Sequence, residues 1–323
     1  MKFTAFARIA IPAALIAIAL PAPAADYPTK PIRLVVGFAP DGGTDTTARA
    51  IGSKLSELLG QQIIIDNRAG AAGNIATEIV AKAAPDGYTL LMGTIAALAI
   101  NPSLYTTKLP FDSIKDFAPI IQAVDSTNIL SLHPSVAANS VKELIALAKT
   151  KSLNYGSSGV GGTGHLAGEL FNTMAGVKMV HIPYKGGGPA MIELVGGQVQ
   201  LVFATAASAV PQIKGGKIKG IAVTTAKRSA LMPNLPTISE AGLPGFDAHN
   251  WYGLLAPAKT PRPIINRLNA DVTKVLNMPD VKDFLFHQGL DPAPGTPEQF
   301  GAYIKSETTK WAKVVKDSGA KAN

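Results

Sequence analysis

Two stretches of small polar residues are the parts of this chain best suited to chemistry. One is Ala39-Pro40-Asp41-Gly42-Gly43-Thr44-Asp45-Thr46, the other Ser157-Ser158-Gly159-Val160-Gly161-Gly162-Thr163-Gly164-His165. Each follows an expected strand and opens an expected helix. Glycine lets backbone N–H groups converge on a guest. A helix N-terminus adds orphan donors and about half a positive charge. With Ser and Thr hydroxyls alongside, such loops form a cradle for an anion, a carboxylate or a phosphate. The competing reading is that these residues only cap their helices, and either loop alone leaves that open.

Other chemistries fit less well. Gly159-Val160-Gly161-Gly162-Thr163-Gly164 is formally G-x-G-x-x-G in a strand–loop–helix context. The next strand, however, ends Pro183-Tyr184-Lys185, with no acid for a ribose hydroxyl, and extra residues before Gly159 lengthen the turn. Gly156-Ser157-Ser158-Gly159 is not the G-x-S-x-G of a nucleophile elbow. His165 opens a helix from the same loop, which suits a capping or ligand hydrogen-bond donor. The five histidines (133, 165, 181, 249 and 287) show no metal-binding spacing, and paired carboxylates are not evident. Cysteine is absent, which excludes disulfides, thiolate metal sites and a catalytic thiol. No cofactor and no metal are expected.

The elements that must hold these loops read as two α/β units. Ile32–Phe38 is a near-continuous apolar run, a strand buried on both faces. Ala48, Ile51, Leu55 and Leu58 then repeat at helical spacing up to Gly60. Strands at 62–65 and 89–92 with a helix between them complete a β-α-β-α-β pattern. After Val124 the pattern restarts. Ser140-x-x-Glu143 reads as a capping box, strands follow at 153–156, 179–183, 201–204 and 218–224, and helices alternate with them. A short strand at 252–256 precedes a helical tail whose last helix starts at Thr296-Pro297-Glu298-Gln299. The tail shows no strand run of its own, so it is expected to pack on the first unit. Two lobes, two crossings and a cleft result.

At the N-terminus, Lys2 and Arg8 flank a short apolar run, Ile9 to Leu20, that Pro21 breaks before Ala22-Pro23-Ala24. About twelve apolar residues fall short of the ~20 that span a bilayer, and the pattern reads as a cleaved secretory leader, residues 1–24. The 323 residues carry 30 Lys and Arg against 22 Asp and Glu, a net charge of +8. These charges are dispersed, with no basic run interleaved with aromatics, so nucleic acid is not an expected partner. A mild positive field favours small anions.

The order of several further motifs is specific. Tyr27-Pro28-x-Lys30-Pro31, Phe38-Ala39-Pro40-x-Gly42-Gly43-Thr44-Asp45, Asp66-Asn67-Arg68, Ala84-Pro85-Asp86-Gly87-Tyr88, His165-Leu166-Ala167-Gly168-Glu169, His181-Ile182-Pro183-Tyr184-Lys185-Gly186 and Pro236-Thr237-x-x-Glu240-Ala241-Gly242 occur in that sequence. In this the chain resembles, over essentially its whole length, the Bug-type (TctC-like) substrate-binding proteins of tripartite tricarboxylate transporters.

The resemblance implies an α/β, two-lobed periplasmic-binding-protein fold of the Venus flytrap, type II-like kind, with a parallel-dominated mixed sheet in each lobe. Residues 25–125 with 250–323 would form one lobe and 126–249 the other. It implies a monomeric, non-enzymatic periplasmic protein that takes a small carboxylate, a di- or tricarboxylate or an aromatic acid, and hands it to the membrane subunits of a transporter. A ligand sensor for a two-component system and a periplasmic hydrolase are the alternatives.

Carried over by position, Phe38, Ala39, Pro40, Gly43, Thr44, Asp45, Thr94 and Ile95 face the cleft from one lobe. Ser157, Ser158, Gly159, Thr163 and His165 face it from the other. Tyr184, Phe203, Ala204 and Trp251 could add an apolar wall. Two departures stand out. Asp41 replaces a glycine usual in the family and must point outward or be paired. Ala204 stands where many members carry Asp, which weakens an amino-acid ligand.

Overall fold

The computed structural model describes residues 27–322. The expected leader and its cleavage near Ala24 or Ala25 lie outside them. Chain order sets the architecture. The apolar run gives β1 (Ile32–Val36), followed by α1 (Gly43–Leu59), β2 (Ile63–Asn67), α2 (Asn74–Ala81), β3 (Thr89–Thr94), α3 (Asn101–Leu104) and β4 (Phe117–Ser126). The chain then crosses to β5 (Asn128–Leu132), α4 (Val141–Thr150), β6 (Asn154–Ser157), α5 (Thr163–Ala175), β7 (Val180–Pro183), α6 (Gly187–Val195), β8 (Leu201–Thr205), α7 (Ala206–Lys214), β9 (Lys219–Val223) and α8 (Ile238–Ala241). It returns through β10 (Asn250–Pro257), α9 (Arg262–Asn277), α10 (Pro279–His287), β11 (Leu290–Pro292) and α11 (Pro297–Ser318).

Two mixed sheets result, ordered β11-β4-β10-β3-β1-β2 and β7-β6-β8-β5-β9. Most strands of each sheet run one way. β1 is parallel to β2 and β3, and β6 is parallel to β7 and β8. The short edge strand β11 breaks the direction, and so do β5 and β10, each the first strand laid down after the chain enters a lobe from the other one. Both pair antiparallel with their neighbours.

Three expectations need correction. The sequence reading gives neither β4 nor β5, because Pro119, Gln122 and Asp125 interrupt the first and Asn128 and Ser131 the second. All five residues of β5 are nevertheless buried at the interior of its sheet. The short strand expected at 252–256 is eight residues long and buried throughout, paired on both sides by β3 and β4. The tail does contribute a strand, the three-residue β11 on the edge at β4, too short for a periodic signal.

Local rules account for most helix ends. Ala48, Ile51 and Leu55 are the buried stripe of α1, which stops at a left-handed Gly60. Thr296 and Gln299 form a reciprocal capping box on α11. On α4 Ser140 accepts from the Glu143 amide, but the Glu143 carboxylate reaches the Asn139 amide, one residue beyond the expected box. The tail packs on the first lobe: α9 and α11 lie on β4, and Phe300, Ile304 and Trp311 are buried, each such side chain contributing about 1.5–3 kcal/mol. No helix of the described residues is long and apolar enough to cross a membrane.

Candidate functional site

Both loops singled out by their composition meet at one cavity of about 130 Å³ between the lobes. Phe38 to Thr44 line it from the turn between β1 and α1, with Thr94 at the end of β3. Ser158, Gly162 and Thr163 line it from the turn between β6 and α5. A third segment, Gly186-Gly187-Gly188-Pro189 at the N-cap and first turn of α6, completes that side. Its composition repeats the strand–glycine–helix signature, and that signal could have found it.

The helix starts here share one property. Gly42, Gly162 and Gly186 are the N-caps of α1, α5 and α6, and none of these helices has a side-chain cap. Side-chain caps occur on α4, α8 and α11, from Ser140, Thr237 and Thr296, while α2, α9 and α10 lack one without lining the cavity, so what distinguishes α1, α5 and α6 is that their uncapped starts converge there. First-turn amides in an uncapped helix remain available to a guest. The described residues that line the cavity include no Lys, Arg or His. Positive potential therefore comes from backbone dipoles.

The first-lobe loop is held from behind. The Asp45 side chain is 1% exposed and accepts from Arg49 Nε at 2.7 Å, Asn67 Nδ2 at 2.9 Å and the Asp41 amide at 3.2 Å. Burial alone would raise its carboxyl pKa; these bonds and the Arg49 charge outweigh it and hold the group below the usual range. Asn67 Nδ2 also donates to the Phe38 carbonyl. Asp45 thus shapes the loop rather than lining the cavity. Asp41 is exposed at the rim, in a left-handed conformation (φ 66°).

Behind the second-lobe loop lies a buried polar stack. Ser157 Oγ meets His181 Nε2 at 2.6 Å and accepts from the Gly159 amide. The His181 ring stacks on His165 with centroids 4.0 Å apart, and His165 Nδ1 accepts from the Gly161 amide. Burial lowers His165 to about 4 and, with the neighbouring His165, His181 to about 3. Both rings are neutral near pH 7 and act as braces. Ser157 is 1% exposed and does not line the cavity, so its contact with His181 presents no nucleophile to a guest. No cluster of three or more metal-ligating side chains occurs among the described residues.

Of the residues placed at the cleft by position, Phe38, Ala39, Pro40, Gly43, Thr44, Thr94, Ser158 and Thr163 line the cavity. Gly159 and Tyr184 line an adjoining chamber of about 540 Å³ that shares Phe38, Ala39, Ser158 and Gly186 with it. Asp45, Ile95, Ser157, His165, Phe203 and Ala204 line neither. Ile95 is fully buried, and Phe203 packs against Tyr155 and Phe171 in the second-lobe core.

Neighbours replace two of them: Ala96, in the helical turn after β3, instead of Ile95, and Thr205, at the end of β8, instead of Ala204. On β10 Trp251 points into the core against Phe300, while Asn250 and Tyr252, on the other face, line the cavity. Asn250 Nδ2 donates to the Tyr252 hydroxyl at 2.9 Å. A Cβ on Gly43 would fall 2.8 Å from that hydroxyl, so only glycine lets α1 approach β10 this closely.

Comparison with known proteins adds context to this geometry. The family model for the tripartite tricarboxylate transporter family receptor matches residues 47–320. Protein BugT of Bordetella pertussis is 36% identical over 307 residues, 94% of each chain. A solved R. palustris structure with adipate is 40% identical, covers 91% of this chain and 99% of its own, and superposes with a TM-score of 0.88. MatC from Rhodopseudomonas palustris with bound malate is 33% identical over 90% of this chain and all of its own, with a TM-score of 0.84.

Proposed function

The chain belongs to the tripartite tricarboxylate transporter receptor family, and from that premise we propose that it captures a small organic carboxylate in the interlobe cavity and delivers it to the membrane subunits of such a transporter. The observation that carries the reading is the convergence of three uncapped, glycine-started helices on a cavity without a cationic side chain. Such a site holds a carboxylate through backbone amides and hydroxyls. Solved relatives that hold adipate and malate support it.

In this reading the protein binds and releases its ligand without turning it over. It works as a monomer in the periplasm after losing its leader near Ala24 or Ala25. Residues 25–125 with 250–323 and residues 126–249 move as two bodies about the crossings near Thr127 and 224–250. Phe38 to Thr44, Ser158 and Thr163 are the ligand contacts, and Gly159 and Tyr184 border the entry.

The test is thermal. Ligand at 100 times its Kd adds about 2.7 kcal/mol, enough to raise Tm by a few degrees in a chain of this size. A panel of C4–C8 dicarboxylates and aromatic acids is expected to contain at least one that does so. A panel without effect, while sugars or amines shift the melt, would refute the reading.

A further inference from the structure

A cluster of charged side chains apart from the cavity ties the lobes together. Phe246, 1% exposed and packed edge-on against Phe171, anchors the second crossing in the second lobe, and the Ala248 amide donates to the Thr224 carbonyl at 2.9 Å. Asp247 and His249, on either side of Ala248, reach the other way, to α11 of the first lobe. Asp247 accepts from Lys310 Nζ at 3.2 Å. His249 Nδ1 meets Asp247 Oδ1 at 3.1 Å, and its Nε2 meets the Tyr303 hydroxyl. The next residue, Asn250, lines the cavity. α11 also packs on α5, so the cluster fastens the crossing to a helix that touches both lobes.

The surroundings of His249 favour its charged form. Asp247 lies on its own segment, Tyr303, Glu307 and Lys310 on α11, and Asp125 on β4, with Asp291 of β11 opposite Asp125. Four carboxyl groups thus gather around one lysine and the ring. Protonated, the ring donates at both nitrogens, to Asp247 and to Tyr303; neutral, it has one hydrogen for two partners. Burial alone would lower its pKa, but the Asp247 hydrogen bond and charge, with Glu307 behind them, outweigh burial and the Lys310 charge and hold the ring above the ordinary value of about 6.5. The other two buried histidines, His165 and His181, are already neutral there, and no histidine lines the cavity.

We propose that this cluster is a proton-operated clamp: with His249 protonated it holds the second crossing on α11 and favours the lobes-together arrangement that binds ligand, and loss of the proton loosens it. Ligand affinity is then full below about pH 6.5 and falls as pH rises through the raised His249 value. The inference rests on the two-lobe reading above and adds a control to it.

Calorimetric titration of the full chain with malate and with adipate from pH 6.5 to 9, where ordinary carboxyls are ionised, tests the clamp. Wild type is expected to lose about threefold or more in affinity for at least one acid across that range, and His249→Gln less than about 1.5-fold. Asp247→Asn removes the acid that holds the ring's proton and is expected to move the step to lower pH; a merely structural role would give no step to move. A flat wild-type profile overturns the clamp, as does a slope that persists in His249→Gln or a step that stays in place in Asp247→Asn. If neither acid binds, the carboxylate reading falls, and small-angle scattering of the ligand-free protein decides on the clamp. Wild type is expected to have a larger radius of gyration at pH 9 than at pH 6.5, and His249→Gln the same at both. No change in wild type overturns the clamp.

Discussion

Ser158 and Thr163 are where single atoms decide between a binding loop and a capping loop. Neither caps α5, whose N-cap is Gly162 with no side-chain bond. Ser158 Oγ sits where a Cβ on Gly162 would come within 2.7 Å, so glycine is what lets this hydroxyl lie over the helix start. Donated to a carboxylate, each hydroxyl makes a charge-assisted bond of about 1.5–3 kcal/mol. Ser158→Ala and Thr163→Ala are therefore expected to weaken carboxylate binding about ten- to a hundredfold. Apo stability should fall by less than about 1 kcal/mol, below a typical cap loss. Calorimetric affinities and apo melting curves check both numbers. Unchanged affinity with a lower apo Tm would return the loop to a purely structural role. Asp45, Ser157 and His165 belong to the same loops but serve from behind, as their burial and local bonds require.

At the scale of elements, α1 and β10 set the width of the cavity. Gly43 opens α1 directly over Tyr252, which is 3% exposed and bonded to Asn250. Gly43→Ala places a methyl 2.8 Å from the phenol oxygen and 3.2 Å from the ring, so the buried Tyr252 or the start of α1 must shift. The expected cost is about 1–3 kcal/mol of stability, as for other overpacked sites, together with at least a tenfold loss of carboxylate affinity because the helix start shifts. Apo denaturation and titration measure the two; an unaltered affinity would mean that α1 contributes no amide to the ligand. These elements also mark how far the sequence was legible. β1, β3 and β8 are dense apolar runs, and the composition of the glycine loops between strand and helix singles out two segments that do meet at the cavity. β4 and β5 hide because polar residues break the apolar signal, as buried Asn128 and Ser131 do in β5, where Asn128 bonds the distant Thr163 and Ser131 the nearby Ile129 carbonyl. Asn250, Tyr252 and Thr205 hide for a related reason. Nothing in their spacing marks them; they reach the cavity because the chain crosses between lobes and a strand alternates its faces.

Over the whole molecule, the two lobes already meet around the cavity. Gly161 of the second lobe lies so close to the first that a Cβ there would fall 2.4 Å from Asn101 Oδ1, and α11 reaches from β4 to α5. A site closed by two bodies excludes water, and fixed amide dipoles act more strongly on a charge there than in solvent. Under the proposed function, negative charge is recognised by helix starts converging between the lobes, with no cationic side chain among the described residues that line the cavity. Calorimetric titration of the full chain with malate, adipate and the diamide of each tests this most directly, since acid and amide share shape and differ in charge. Replacing charge-assisted by neutral hydrogen bonds loses about 1 kcal/mol per bond, and several amides and hydroxyls contribute. At least one acid is expected to bind, with its diamide weaker by a hundredfold or more. A diamide that binds as tightly as its acid would contradict it.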